Sequence, residues 1–446
     1  MNCLQVTGVE IVDDFITDED IIKKITKTQM DEDSFFVLDV GDLIRKHKMW
    51  LKEFPRITPH FAVKSNSNSM VIKTIAALNG NFDCASLQEI MQVMECGVTG
   101  DRIIFAHPVK FPSHLKYAKK VGIQRMTVDN PNEIHKIKSI FPEAKIVIRI
   151  RCDAKKAEIN LGNKFGCDPD HEAKELINLT KKLGLHLHGF SFHVGSLCRE
   201  ITAYCRGIKI CNNLIDYAKL IGCNEVCLID IGGGFPGETD ANIQEFAEVI
   251  NEALKDVDSS IKIISEPGRY YVTSAFKLVA QVQGKKRFHH GNEERFFYYI
   301  NEGVFGSFKD EMMGLEARVP TSLRKTQSNK KFVSIMWGQT ADEKDCILKN
   351  ISLPEFEIGD WLIWKNMGAY TISLAASSHG FNLSRVYPIT RRSEWEIVCA
   401  EENFTKNVTM TNKKKLTDSS KKVTNDIENF REILKTTNVP AHDVCC

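Results

Sequence analysis

The sequence predicts an α/β protein in which a (β/α)8 barrel is followed by an all-β domain. Between residues 60 and 268, short β-rich runs alternate with amphipathic helical segments. From about residue 271, strand-like runs follow one another and are separated by turns and charged loops. The chain has 446 residues, which is enough for a barrel of roughly 250 residues and a second domain.

The β-rich runs supply one strand to each repeat of the predicted barrel. Eight runs in about 210 residues match a (β/α)8 barrel, and a doubly wound open sheet is the competing interpretation. Between the runs, apolar residues recur at helical spacing, as Ile243, Phe246, Ile250 and Leu254 do. The runs are residues 60–65, 82–86, 102–108, 125–130, 145–150, 188–195, 227–233 and 262–268.

The domain boundaries follow from changes in this rhythm. We expect residues 1–40 to form an N-terminal segment that packs with the β domain, and residues 41–270 to form the barrel. Residues 271–400 form the predicted β domain. Residues 401–446 are polar and contain several lysines, which predicts a flexible tail.

Composition excludes several classes of protein. The net charge is +1, which argues against binding nucleic acid through bulk positive charge. No apolar run approaches the length of a membrane span, and the acidic N-terminus lacks the apolar region of a secretory signal. The 14 cysteines are scattered without a CxxC pair, which is typical of reduced thiols. We therefore expect a cytoplasmic protein without nucleic-acid or membrane partners.

Polar residues gather where the predicted barrel strands end. Chemistry in barrel enzymes takes place at this end of the barrel. Each residue alone has an ordinary interpretation, such as a surface lysine, a core histidine, an ion pair or a glycine turn. Their combination at one rim is what indicates a site. The residues are Lys64, Asp83, Arg149, His193, Ser196, Gly232, Gly233, Gly234, Glu266 and Arg269.

The chemistry of this set favours pyridoxal 5′-phosphate (PLP). Gly232–Gly234 would let backbone N–H groups approach a phosphate, and Arg269 could add a guanidinium contact. Lys64 offers an amine for covalent attachment, and Glu266 could hold a pyridine nitrogen protonated. The imidazole of His193 could stack on the ring. The sequence has no HExxH or P-loop motif, and we predict no metal site.

The same segments resemble the eukaryotic ornithine decarboxylase family, which comprises PLP enzymes with an alanine-racemase-like barrel and a C-terminal β domain. The similarity covers about residues 8–395. The resemblance implies an obligate homodimer with active sites shared between subunits. The matching segments are FAVKSN (61–66), FDCAS (82–86), SFHVGS (191–196), DIGGGFPG (230–237), EPGRYYV (266–272), GVFGSF (303–308) and NMGAYT (366–371).

The resemblance implies a role for each matching residue. Lys64 would attach the cofactor covalently, His193 would stack on its ring and Glu266 would pair with the pyridine nitrogen. Asp83 and Arg149 would lie around the cofactor. Residues 153–164 fall where the family has a mobile loop over the site. The residues implied to hold the cofactor, mainly its phosphate, are Ser196, Gly234, Arg269 and Tyr370.

The substrate end departs from the family at three places. Ala341 replaces a cysteine that comes from the partner subunit and serves as an acid, although Asp342 beside it is retained. Glu302, after Asn301, stands where the family has an aspartate that binds the distal ammonium of ornithine together with the aspartate at 342. Near Ser378 the family usually has a phenylalanine beside the substrate side chain. The resemblance implies Lys64, His193 and Asp342 as catalytic residues. It implies a substrate subsite of Asn301, Glu302, Asp342 and Ser378.

These departures predict a shifted substrate. Removal of an aromatic wall and movement of a distal charge favour a neutral branched amino acid, and the resemblance extends to a mammalian paralogue that decarboxylates leucine. Ornithine or lysine is the alternative, since Asp342 would be costly beside an apolar side chain. A racemase is disfavoured because the decarboxylase segments match throughout. The family also includes antizyme inhibitors, so a non-catalytic regulator is the other alternative. A basic strip at Lys110, Lys116, Lys119 and Lys120 lies where family members meet antizyme.

Overall fold

The computed structural model describes residues 8–396, apart from residues 160, 292, 313, 316, 317, 325–329, 378 and 379. Two predictions lie outside these residues: the flexible tail at 401–446 and the substrate contact of Ser378.

The described strands divide between a closed barrel and a separate sheet. In chain order they are β1 (Glu10–Val12), β2 (Phe35–Asp39), β3 (Ile57–Ala62), β4 (Asn81–Cys84), β5 (Ile103–Phe105), β6 (Arg125–Val128), β7 (Lys145–Arg149), β8 (Ala157–Ile159), β9 (His186–Ser191), β10 (Ser196–Cys198), β11 (Leu228–Asp230), β12 (Lys262–Ser265), β13 (Phe276–His290), β14 (Glu293–Ile300), β15 (Thr321–Ser322), β16 (Lys331–Trp337), β17 (Cys346–Pro354), β18 (Trp361–Trp364) and β19 (Arg385–Arg391).

Helices follow most of the barrel strands. Two helices precede the first barrel strand: α1 (Asp18–Thr28), which begins at a Thr17 capping box, and α2 (Val40–Glu53). The others are α3 (Ser69–Ala77), α4 (Leu87–Met94), α5 (Pro112–Lys120), α6 (Pro131–Ile140), α7 (Glu172–Lys182), α8 (Thr202–Leu220), α9 (Ile243–Ala253), α10 (Arg269–Val272) and α11 (Lys309–Met312). Short 3₁₀ turns lie at Val63–Ser65, Gly100–Arg102 and Leu254–Asp256.

The barrel closes in the order β11-β12-β3-β4-β5-β6-β7-β9. All its strand pairs are parallel, including the closing pair of β11 with β9. The predicted (β/α)8 barrel is therefore confirmed, and the open sheet was the wrong alternative. Because all eight strands run in the same direction, their C-terminal ends share one rim of the barrel and their N-terminal ends the other.

The barrel interior shows why these runs are strands. Side chains alternate between the interior and the surrounding helices. Ile104, Val147, Leu228 and Ile264 form a small apolar cluster of their own. The opposite faces of the strands pack on the helices in the main core, where aromatic residues such as Phe61 are fully buried. Apolar residues in the middle of the barrel thus separate the polar residues of its two ends.

The second sheet has nine described strands and includes both ends of the described chain. Its main order is β1-β19-β2-β13-β14-β16-β17, and β18 pairs with β13 and β15. The predicted all-β domain is thus present. From the N-terminal segment, β1 pairs with β19, and β2 lies between β19 and β13.

Three hydrogen bonds join the two domains beside the C-terminal rim of the barrel. The amide of Asn66 donates to the carbonyl of Gly368 at 2.7 Å. The carbonyl of Ser65 accepts from the backbone N–H of Tyr370 at 2.9 Å and from the hydroxyl of Ser373 at 3.1 Å. The turn after β3 therefore carries residues 366–374 to the mouth of the barrel.

Two further observations bear on the expected class of protein. Within the described part of the chain, no helix combines the length and apolar character needed to cross a bilayer. Each described cysteine is a free thiol.

Candidate active site

Lys64 lies in the 3₁₀ turn that follows β3, and its ammonium group donates to Asp83 Oδ2. Asp83 is fully buried on β4, the neighbouring strand. Burial lowers the pKa of Lys64, but the negative charges of Asp83 and Glu266 outweigh burial and raise it overall. Lys64 is therefore charged in the ligand-free site.

Two further acids lie next to this pair: Asp230 is fully buried and Glu266 is partly buried. Burial raises the pKa of Asp230 to about 6, although the backbone N–H of Gly232 donates to it at 2.9 Å. Burial raises the pKa of Glu266 as well, and the charges of Asp230 and Asp83 raise it further. Asp83 Oδ1 and Asp230 Oδ2 are buried without a hydrogen-bond partner among the described residues. This end of the barrel thus carries more acid than its own cations neutralise.

The three glycines after β11 form a backbone bend that side chains would obstruct. Gly232 has φ +66 and Gly234 has φ +107, both in the left-handed region. A Cβ on Gly232 would lie 2.3 Å from the carbonyl oxygen of Phe192. A Cβ on Gly234 would lie 2.6 Å from the carbonyl oxygen of Gly195. Glycine is therefore required at both positions, and the backbone lines the cleft here.

Arg269 begins α10 on the same side of the cleft. Its Nε donates to the hydroxyl of Ser196 at 3.0 Å, and its guanidinium lies 4.7 Å from the centroid of the Tyr370 ring. Tyr370 has φ +56, a strained conformation that its hydrogen bond to the Ser65 carbonyl helps to hold. Asp310 Oδ2 lies 3.5 Å from Arg269 Nη1. Arg269 is thus oriented before any ligand binds.

His193 presents a neutral ring to the cleft. Burial and the positive charges of Arg149 and Lys64 hold the pKa of His193 well below its usual range. The backbone N–H of Gly195 donates to Nδ1 at 3.0 Å, so the ring proton lies on Nε2. A neutral ring suits stacking on an aromatic ligand.

These groups surround one cleft of about 430 Å³ at the C-terminal rim. Four of its lining residues, called here the apolar wall, have apolar side chains: Ile159, Leu161, Phe165 and Leu374. Ile159 is held in place because β8 pairs with β10. The sequence-predicted residues that line the cleft are Lys64, Arg149, His193, Ser196, Gly233, Gly234, Glu266, Arg269 and Tyr370.

The predicted substrate residues lie elsewhere in their own chain. Glu302 is 3% exposed, and its carboxylate accepts from the N–H and hydroxyl of Ser307 and from the Ser384 hydroxyl. Asn301 accepts from the backbone N–H of Gln281 at 2.7 Å. Asp342 is exposed. None of the three described residues lines the cleft of the same subunit.

Sequence reasoning missed several residues that do line the cleft. Asp310, on the single-turn α11, is buried beside Arg269, and burial raises its pKa. Ile159, Leu161 and Lys164 fall in residues 153–164, the segment that the resemblance places over the site, whereas Phe165 and Leu374 were not expected there. No strand periodicity marks these positions. An acid two residues after the GVFGSF segment was the one available signal for Asp310.

The residues of this cleft fit PLP. Buried carboxylates without a full set of partners accommodate a protonated ring nitrogen, and Lys64 offers the amine. The glycine backbone, Ser196 and Arg269 offer donors for the phosphate. The apolar wall and His193 leave room for a planar ring.

Comparison with known proteins agrees with this fit. Residues 40–273 match the family described as "Pyridoxal-dependent decarboxylase, pyridoxal binding domain". The chain belongs to this family. It is a PLP-dependent decarboxylase by descent, a carboxy-lyase, as the resemblance implied.

Relatives and solved structures carry the match over most of the chain. Antizyme inhibitor 2 of Xenopus laevis is 41% identical over 394 residues, 85% of this chain and 86% of the relative. Ornithine decarboxylase of Mus musculus is 38% identical over 408 residues, 87% and 88% of the two chains. The Paramecium bursaria Chlorella virus arginine decarboxylase bound to agmatine is 35% identical with a TM-score of 0.79. That alignment covers 83% of this chain and 100% of the viral one.

We expect Lys64→Ala to abolish covalent PLP binding, because the decarboxylase then lacks the amine that the buried acids position. The long-wavelength absorbance band of covalently bound PLP should form in wild type and be absent in the variant. Lys73→Ala removes an exposed lysine from α3 and should keep the band. A band of equal height in Lys64→Ala would show that another amine holds the cofactor.

A second prediction concerns Asp230 in the cofactor-free protein. Its pKa rises from 3.8 to about 6 on folding, so between these values the folded state keeps a proton that the unfolded state has lost. Stability is therefore lost as pH rises through this window, by about 3 kcal/mol at most. Asp230→Asn should flatten the thermal midpoint against pH between about pH 4 and 6. Exposed Asp216→Asn is the control; parallel curves for Asp230→Asn and wild type would contradict the assignment.

Proposed function

We propose that this decarboxylase acts on a neutral branched amino acid such as L-leucine. The apolar wall of Ile159, Leu161, Phe165 and Leu374 is the observation that supports it. A linear diamine would place its distal ammonium against this wall and lose hydration without a compensating charge. A branched aliphatic side chain would bury apolar surface there.

The described acids near the cleft lie beside groups other than a substrate ammonium. Asp83 accepts from Lys64, Glu266 lies beside Asp230 at the position that we assign to the ring nitrogen, and Asp310 lies beside Arg269. Glu302 is saturated within its own chain. Within the subunit that holds Lys64, this arrangement leaves no described carboxylate free for the distal ammonium of ornithine or lysine, which supports a neutral substrate.

Each cleft residue has a proposed part in the reaction. When bound, PLP supplies an electron sink that makes loss of CO2 from an amino acid possible. Lys64 holds the cofactor, Asp83 orients the amine, and Glu266 shares a proton with the ring nitrogen. Ser196, Gly233, Gly234 and Arg269 bind the phosphate, and Tyr370 supports Arg269. Ala341 has no acidic proton, so we assign reprotonation of the α-carbon to the ammonium of Lys64.

We also propose a homodimer with shared sites, as the family resemblance implies. Asp342 is exposed on the loop between β16 and β17 and does not line the cleft of its own subunit. In the shared-site arrangement it would enter the cleft of the partner. Free thiols throughout the described chain support a reducing compartment such as the cytoplasm.

A non-catalytic antizyme-binding regulator is the second candidate, since a relative at 41% identity is an antizyme inhibitor. The basic strip predicted for that partner is smaller than the sequence indicates. Lys110 is 2% exposed and donates to Glu133 and to the carbonyl of Thr127. The intact cofactor cleft supports the enzyme instead.

The substrate proposal is tested by CO2 release from a panel of amino acids at equal concentration with PLP present. Leucine should exceed ornithine in kcat/KM. The missing charge-assisted contact costs ornithine about 1.5–3 kcal/mol, or roughly ten- to a hundredfold. Leu374→Asp should move the ratio toward ornithine, and Leu374→Asn is its uncharged control. A wild type that prefers ornithine would refute the proposal, and release from no amino acid would favour the regulator.

The shared site is tested by mixing inactive Lys64→Ala with inactive Asp342→Ala subunits. Random exchange should restore about a quarter of wild-type activity, because one of the two sites in each mixed dimer carries neither lesion. Mass spectrometry of the mixture measures the exchange. Exchange without recovered activity would rule out sharing.

A further inference from the structure

A second cavity lies at the N-terminal end of the barrel, opposite the catalytic rim. Its volume is about 590 Å³, within the range of small-molecule sites. It is lined at the first residues of the strands, including Asn81, Arg125, Lys145 and Lys262. The apolar cluster in the middle of the barrel lies between this cavity and the cofactor cleft.

The cavity is strongly basic. Arg56, Arg125, Lys145 and Lys262 line it, and Asp101 is the single carboxylate among its described lining residues. Arg56 donates to the carbonyls of Leu254 and Val257, so it is already committed. Lys145 and Lys262 form no ion pair within the described residues.

The positive charges converge on one place. Burial lowers the pKa of His188, and the charges of His186, Lys145, Arg125 and Lys262 lower it further, to about 3. Lys145 and Lys262 therefore lie around the same cavity. A cluster of cations held this close favours a bound anion.

His60 provides a second observation that indicates a ligand in this cavity. It lines the same cavity, is 1% exposed, and its Nε2 has no hydrogen-bond partner among the described residues. Nδ1 lies 3.3 Å from the carbonyl oxygen of Thr58, so it carries the ring proton and Nε2 is an acceptor. Leaving a buried acceptor unpaired is costly. The missing partner is a hydrogen-bond donor.

We propose that the cavity at the N-terminal end of the barrel binds the phosphate group of a small phosphorylated metabolite. The oxygens of a phosphate monoester accept from Arg125, Lys145 and Lys262. The hydroxyl of its monoanion donates to His60 Nε2. One phosphate leaves part of the cavity free, and the remaining space suits the organic part of an ester. This site does not depend on which amino acid the enzyme decarboxylates.

The test uses the PLP-loaded protein freed of excess PLP, so that the phosphate donors of the catalytic cleft are already occupied. Isothermal titration calorimetry at about pH 6, where much of each phosphate is the monoanion, compares glucose 6-phosphate, inorganic phosphate and sulfate. We expect saturable binding of one phosphate per chain, tighter for the ester than for the free ion. Sulfate should bind more weakly, because it carries no proton to donate to His60.

Lys145→Gln and Lys262→Gln should each weaken phosphate binding roughly tenfold or more. Lys23→Gln, on exposed α1, is the matched control and should bind as wild type does. His60→Phe should remove the preference for phosphate over sulfate. Absence of saturable phosphate binding in wild type, or an affinity equal to that of wild type in both lysine variants, would overturn the site. Equal affinity of wild type for sulfate and phosphate would overturn the role of His60.

Discussion

The ammonium of Lys64 holds together a group of buried acids that would otherwise repel one another. Asp83 on β4 and Asp230 on β11 are fully buried at one rim of the barrel, and Glu266, which directly follows β12, is partly buried beside them. Burying like charges in a region of low polarity is unfavourable unless cations or protons compensate them. In the folded chain, Lys64 and Arg149 supply positive charge, and the pKa values of Asp230 and Glu266 are raised. A ligand that brings a cationic ring nitrogen therefore improves the charge balance of the site as it binds.

This constraint explains why the catalytic rim could be recognised from sequence. Lys64, Asp83, Arg149 and Glu266 lie at or beyond the ends of strands whose apolar runs are regular, so strand spacing alone places them at one rim. The barrel was predictable for the same reason. Short elements were not: β8 and β10 have three residues each, and their pairing depends on contacts rather than on a pattern.

The substrate end shows where sequence reasoning fails. Glu302 sits in a segment that matches the family, yet its carboxylate bonds to Ser34 and Ser384, which are 268 and 82 residues away. No local pattern reports such partners. Asp310 lies on one helical turn without periodicity, and only the fold brings it to Arg269. Side chains on strands are placed by the strand, whereas those on loops are placed by distant contacts.

The position of β2 between β13 and β19 has a consequence for how the chain is made. Phe35 pairs with Val279 on one side and with Arg385 on the other. The barrel is thus an insertion within the β domain, and its strands all emerge from the ribosome before β19. The barrel can close while β1 and β2 still lack their shared neighbour β19. The long stretch of chain between β2 and β19 adds little entropy cost to their later pairing. Assembly of the β domain is therefore the late step in synthesis, and β2 stays an unprotected edge until it is complete.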